Sequence, residues 1–330
     1  MNNQRRNVLK LVSGLGAALT VPWMARAEKS AYPSDTVTMV VPFAAGGSTD
    51  YLARALTADM NSRHAGRFIV DNRPGAGAII GTKAVAGAAP DGRTLLYTTA
   101  TSFSVNPFVY KSLPYDPVNG FAPIALTVQL PLVVVVSKEL GVKTLQELVD
   151  YLRKNQERSS YSSYGNGTAS HISAALFVKN IAATGVLHVP YKDTRAIPDL
   201  ATGRNTFQID AWSTVAPLVN SGKLVVLAVC GVERMPWAPG IPTVASVLGQ
   251  DFDMFTWHAV FAPKATPVEI LDLLNQEVKV TMAKEAVQKA AVEQGFKPYP
   301  YMPRKDVSAF VTNDGNRWKR FIEVAGVERQ

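Results

Sequence analysis

Residues 37–50 read VTMVVPFAAGGSTD. An apolar, β-branched run ends at Val41, and the following stretch places Leu52, Ala55, Leu56 and Met60 at helical spacing. The pattern predicts a strand feeding a helix through a turn built from small residues, two of them glycines. Small residues let a ligand or a packed neighbour approach the backbone closely. A helix start also offers free N–H groups and the positive end of the helix dipole. Taken alone, the turn leaves two readings open: a capped helix start with Ser48 or Thr49 as N-cap, or a cradle for an anion.

Working outward, RFIVDNRPG reads as strand then turn, GAIIGTKAVAGAA as a small-residue helix, and RTLLYTTA as a strand. This βαβαβ opening predicts a parallel sheet covered by helices. Two strongly apolar strands follow, PLVVVVSK at 131–138 and FTWHAVFAP at 255–263. Between them lies a second α/β set: helix KTLQELVDYLRKN, strand SSYSSY, helix TASHISAALFVKNIAA, strand VLHVPY, short helix IPDLATG, strand FQIDAW, helix VAPLVNSG and strand KLVVLAVC. From ATPVEILDLLNQEVKVTM onward the pattern is mainly helical. The order predicts two α/β lobes, the first returning after the second, with crossover strands near 128–135 and 255–261. The expected boundaries are 28–130 and 255–330 for lobe one and 131–254 for lobe two. Such an arrangement leaves a cleft and a hinge that can close on a ligand.

In an open α/β sheet ligands bind beyond the carboxyl ends of the strands. The segments found there are PFAAGGSTD, ATSFSVNP, GNGTASH, PYKDTR and Asp210. They are rich in Gly, Ser and Thr, and two run directly into helices, so they can hold an anion without a cationic side chain. Thr49, Thr168 and Ser170 add hydroxyl donors. His171 reads equally as a core histidine or a ligand contact, and Lys192 as a solvated charge. The shared location of these loops points to a common ligand more strongly than any one of them does.

Rival chemistries find little support. PFAAGGSTD has neither the lysine of a P-loop nor G-x-G-x-x-G spacing. Histidines 64, 171, 188 and 258 and the single cysteine show no metal-ligand spacing, so neither metal nor cofactor is expected. There is no G-x-S-x-G elbow. Cys230 ends an apolar run and reads as a buried thiol unable to form an intrachain disulfide. Asp50 and Asp210 could act as a carboxylate pair if they converge.

The chain starts with a basic segment (Arg5, Arg6, Lys10), an apolar stretch from Leu11 to Trp23, and Ala25 and Ala27 in A-x-A spacing. These are the parts of a secretory signal peptide over 1–27, cleaved near Ala27. The run QRRNVLK resembles a twin-arginine export signal, with Val8 where Phe is usual. Removing this segment takes four basic residues and no acid, lowering the net charge from +8 to +4. Without Lys/Arg clusters interleaved with aromatics, no nucleic-acid partner is expected.

Several stretches together resemble the Bug-type extracytoplasmic solute receptors of tripartite tricarboxylate transporters. They are VPFAAGGSTD, VDNRPGAGAIIGT, APDGRTLL, YDPVNGFAPIA, YGNGTASHISAALF, HVPYKD, SGKLVVLAV, IPTVAS and WHAVFAPKATP. The resemblance covers nearly all of the chain after the export segment. It implies a type II periplasmic-binding-protein fold, a periplasmic location and a monomer that closes on a small carboxylate. It also implies no catalysis and membrane transporter subunits as partners. Carried over by position, the ligand-binding residues are Phe43, Gly46, Gly47, Ser48 and Asp50 in the first loop, and Thr99, Thr101 and Ser102 in the next. In the second lobe they are Gly167, Thr168, Ala169, Ser170 and His171, with Asp210 farther on. The chain departs from the pattern at Asp193, where glycine is usual, with Arg195 close behind, and at Thr206 and Ala175, where acids are usual. The competing readings are a secreted hydrolase or isomerase using Asp50, His171 or Asp210, and a ligand-dependent signalling receptor.

Overall fold

Alternation of strand and helix patterns leaves each strand needing a helical cover, and the chain satisfies this twice. The computed structural model describes residues 32–33, 35–64, 67–191, 195–249 and 252–329. The export segment, Lys192 and Asp193 lie outside the described residues. In chain order the elements are β1 (Val37–Val41), α1 (Ser48–Arg63), β2 (Phe68–Asn72), α2 (Ile79–Ala86), β3 (Thr94–Thr99), a π-helical turn Thr101–Val105, and α3 (Asn106–Val109). The long β4 (Phe121–Ser137) leads into α4 (Leu145–Lys154), β5 (Ser160–Ser163), α5 (Ala169–Asn180), β6 (Leu187–Pro190), α6 (Ala196–Ala201), β7 (Phe207–Ala211), α7 (Trp212–Asn220) and β8 (Leu224–Val229). After α8 (Val244–Leu248) come β9 (Phe255–Pro263), α9 (Val268–Met282), α10 (Glu285–Glu293), β10 (Lys297–Pro298) and α11 (Arg304–Ala325).

The strands run in the order β2-β1-β3-β9-β4-β7-β5-β6, with β10 and β8 also paired to β4. Pairs β1–β2, β1–β3, β5–β6 and β5–β7 are parallel. The antiparallel pairs all involve β9 or β4.

β4 is the strand the two lobes share. Its first half, Phe121–Pro131, pairs with β9, and its second half, from Leu132, pairs with β7 and β8. The handover falls at Pro131, which lacks the N–H needed to continue a ladder. Phe255, at the start of β9, is registered on Pro131. β9 itself pairs only with β3 and β4 in the first sheet, so the return crossing lies in the segment leading into it.

Val133–Val136 are all fully buried, each contributing about 1.5–3 kcal/mol by leaving water. In the first lobe the buried Trp257 of β9 donates its indole N–H to Asp314 of α11 at 2.6 Å, pinning the last helix to the central strands. α4 is the amphipathic helix expected, burying Leu145, Leu148, Val149 and Leu152. Among the described residues no helix is long and apolar enough to cross a membrane.

Candidate functional site

The first loop turns between β1 and α1 at Gly46, whose φ of +81° is the left-handed conformation that glycine adopts without strain. The N-cap of α1 is Gly47, with no side-chain cap, so neither Ser48 nor Thr49 takes that place. The first-turn amides are therefore left to other acceptors. Asp50 reaches back instead: its Oδ2 accepts from the Gly46 amide at 2.8 Å and from Arg54 Nε at 2.9 Å. Only 3% of Asp50 is exposed. Burial opposes its ionisation, but hydrogen bonds from Arg54, Gly46 and Asn72 outweigh that and hold its carboxyl below the ordinary value. Asp50 thus shapes the loop as a fixed anion. Ala44–Gly47 are exposed at the cleft rim, Ser48 is half-buried, and half-buried Phe43 packs on the main core.

Beneath Thr49 lies a residue that the sequence analysis left without a role. His258, on β9, is fully buried with Nε2 3.4 Å from the Thr49 hydroxyl. Its main-chain carbonyl accepts from Thr127, whose hydroxyl also meets that of Tyr97. Burial pushes its pKa down to about 3, so the ring is neutral. Only its position in WHAVFAP, on a strand registered beside Thr99, could have signalled this role.

At the end of β3, Thr99 accepts from the Thr101 amide at 3.2 Å, and Thr101 is half-buried beside it. Ser102 departs from expectation. It is 0% exposed, and its hydroxyl lies 2.8 Å from that of Thr98 and 3.0 Å from that of Thr82. The π-helical turn buries this side chain, and its hydroxyl ties β3 to α2.

The second lobe presents the GNGTASH turn between β5 and α5. Thr168 is the N-cap of α5, its hydroxyl accepting from the His171 amide and donating to the Gly165 carbonyl at 2.8 Å. Ser170 meets the Thr168 hydroxyl at 3.1 Å, while Ala169 is half-buried at the first helical position. His171 is turned inward, and its Nδ1 accepts from the Gly167 amide at 3.0 Å. Gly167 has a φ of +73°, and a Cβ there would stand 2.0 Å from Val109 Cγ1 of the first lobe. The two lobes touch at that glycine.

They touch again at Gly295, where a Cβ would lie 1.9 Å from Trp212 Cδ1 at the start of α7. Two residues before Trp212 is Asp210, 6% exposed. Its Oδ1 accepts from the Ala211 amide and its Oδ2 from Gln208, each at 2.7 Å, with Tyr164 and Thr214 adding side-chain hydrogen bonds. Burial raises its pKa to about 6 despite these donors. Gln208 is itself held by the Ser162 hydroxyl at 2.5 Å. Asp50 and Asp210 belong to separate networks in different lobes, so they do not form the carboxylate pair considered from sequence.

Among the departures from pattern, Thr206 accepts from the Ser160 amide at 3.1 Å, a bond that ties the start of β7 to β5, and Ala175 is buried within α5. Arg195 is exposed at the start of α6. Cys230 is buried, and burial pushes its thiol pKa up, away from reactivity. Among the described residues no group of three His, Cys, Asp or Glu is placed to hold a metal ion.

With this geometry in hand, three solved structures are informative. A Rhodopseudomonas palustris protein solved with adipate superposes with a TM-score of 0.85 at 30% identity, over 91% of this chain and 100% of that one. The periplasmic binding protein BugD gives 0.82 at 33% identity, over 91% and 100%. MatC of Rhodopseudomonas palustris, solved with bound malate, gives 0.79 at 29% identity, over 88% and 100%. The family model described as the tripartite tricarboxylate transporter family receptor matches residues 52–327. The two-lobe fold is thus that of a Bug-type solute receptor, and the chain belongs to the tripartite tricarboxylate transporter receptor family.

Proposed function

We propose that this receptor is exported, loses residues 1–27, and as a monomer takes a small carboxylated solute between lobes 28–130 with 255–330 and 131–254. It would then hand the solute to the membrane subunits of a tripartite transporter. The observation that carries this reading is the pairing of two helix starts, the Gly46–Gly47 entry to α1 and the Gly167–Thr168 entry to α5, in lobes that meet at Gly167. Backbone amides of Ser48 and Thr49 on one side, and of Ala169 and Ser170 on the other, would receive carboxylate oxygens, with the hydroxyls of Thr99 and Thr101 alongside. Each charge-assisted hydrogen bond contributes about 1.5–3 kcal/mol, so a few give micromolar affinity. Structures of family members holding adipate and malate support a carboxylate ligand.

A catalytic role is disfavoured by how the candidate groups are employed. Asp50 fixes its own loop, His171 Nδ1 holds Gly167, and Asp210 is ringed by donors. Calorimetry and thermal shift with mono-, di- and tricarboxylates, adipate and malate among them, test the proposal. Binding of at least one acid without turnover supports it. Failure of every acid, with a neutral solute binding instead, refutes it.

A further inference from the structure

Behind the second turn two imidazoles lie face to face. The rings of His171, on α5, and His188, on β6, are 4.0 Å apart and inclined by 12°. Tyr161 continues the stack, 5.0 Å from His188 at 17°. Each histidine grips a different end of the Gly165–Gly167 turn. Gly167 N–H donates to His171 Nδ1. His188 Nε2 lies 2.7 Å from the Ser163 hydroxyl, and Ser163 in turn accepts from the Gly165 amide at 3.1 Å.

An amide donor fixes where the His171 ring proton sits. An amide N–H can only donate, so His171 Nδ1 is an acceptor and the neutral ring carries its proton on Nε2. Gly165 O already takes the Thr168 hydroxyl at 2.8 Å, closer than Ser163 at 3.2 Å. Gly165 O has a second lone pair for Ser163, so the Ser163–His188 contact fits either direction; assigning the single Ser163 hydrogen to the shorter contact, His188 Nε2, would place the His188 proton on Nδ1. Two stacked rings, each hydrogen-bonded to a different end, hold a turn that has little stiffness of its own. Gly165 and Gly167 both occupy positive φ, at +116° and +73°, and glycine has the most backbone freedom to lose.

We infer that His171 and His188 are positioning residues that brace the Gly165–Gly167 turn from behind in opposite tautomers, presetting the backbone at the start of α5 without themselves touching the solute. This rests on the reading that the turn receives a carboxylate. His188 has no place in the ligand set implied by resemblance, and His171 moves from contact to support. Burial keeps both rings neutral near pH 7, with pKa values of about 4.

Long-range 1H–15N correlation of the ring nitrogens of the full chain tests the brace without any ligand, since only four histidines must be assigned. The expected result is an Nε2–H ring at His171 and an Nδ1–H ring at His188, identified by loss of each pattern in H171N and H188Q. An Nδ1–H ring at His171 overturns the inference. In a second arm, adipate titration should show H171A weakening affinity about five- to tenfold, while H171N, whose amide oxygen can replace Nδ1, stays within about twofold. Equal losses in the two variants also overturn it. If wild type binds neither adipate nor malate but shows the stated tautomers, the brace stands and the carboxylate reading fails for those two acids.

Discussion

His171, His188 and His258 each sit where burial holds the ring neutral, with pKa values of about 4, 4 and 3. In the unfolded chain a histidine titrates near 6.5. Between about pH 6.5 and 4 the unfolded state therefore binds up to three more protons than the folded one at these sites, and stability falls as pH falls. Asp210 works in the opposite sense. Its folded pKa of about 6 lies above the ordinary 3.8, so between those values folding retains a proton and acid stabilises. Three groups outweigh one, at about 1.4 kcal/mol per pH unit for each unbalanced proton. Urea unfolding should give lower stability at pH 5 than at pH 7, and D210N should steepen the loss by removing the opposing group. Equal stability at the two pH values, unchanged in D210N, would contradict the burial of these rings. At this scale sequence could nominate residues but not orient them. His171 and Asp210 could be nominated from sequence because they follow strand ends. Whether each faces the solute or supports the loop depends on partners such as His188 and Gln208, which no local spacing indicates. Ser102 shows the limit most plainly, since it stands next to half-buried Thr101 in the chain yet is itself wholly buried against Thr82 and Thr98.

Helices α4 and α5 make a controlled comparison among the elements. Thr168 caps α5 by accepting from His171 N at 3.3 Å, and Thr144 caps α4 by accepting from Glu147 N at 3.2 Å. Glu147 Oε2 accepts from the Lys143 amide at 2.8 Å, one residue before the cap, so the start of α4 is held at both sides of Thr144. T168A and T144A should each lower unfolding free energy by about 1 kcal/mol. Only T168A should also weaken solute binding, because its cap shapes the turn proposed to receive the ligand. Calorimetry with adipate separates them, and an equal effect of both on affinity would argue against α5 as a binding element. Elements with a clean period were readable from sequence to the residue, as with α1 at Ser48–Arg63 and β9 at Phe255–Pro263. Others were not. The first half of β4 is obscured by Pro123 and Pro131, which do not read as central-strand residues. The π-helical turn Thr101–Val105 read as plain loop because i→i+5 bonding leaves no periodic mark in five residues. β10, only two residues long, lies in a stretch that otherwise reads as helix.

For the whole molecule, closure is limited by how near two backbones can come. Gly167 seats Val109, and Gly295 seats Trp212, two contacts between the lobes. A methyl group at position 167 collides with Val109 unless that side chain is shortened. G167A should therefore weaken adipate binding by about tenfold, part of it from left-handed strain and part from the collision. V109A in the same chain should restore the collision part, visible as a non-additive double-mutant cycle. Strict additivity would show that the lobes do not meet there in the bound state. The existence of two lobes was readable from the order of strands, helices and returning segments. Which residues meet across them was not, because Val109 with Gly167 and Trp212 with Gly295 join parts of the chain far apart in sequence. A small residue chosen for its emptiness carries no signal of what fills it.

The Trp212 contact has an optical consequence. Trp257 and Trp318 are fully buried inside the first lobe and should emit alike whatever the lobes do, and a W237F background removes the half-buried Trp237 of the second lobe from the signal. The Trp212 indole lies half-buried against a backbone that belongs to the other half of the molecule. Parting the lobes would bring water to that ring and red-shift its emission, while capture of a solute would reverse the change. The receptor thus carries an intrinsic fluorophore at its own moving seam, through which opening and closing can be timed without attaching a dye.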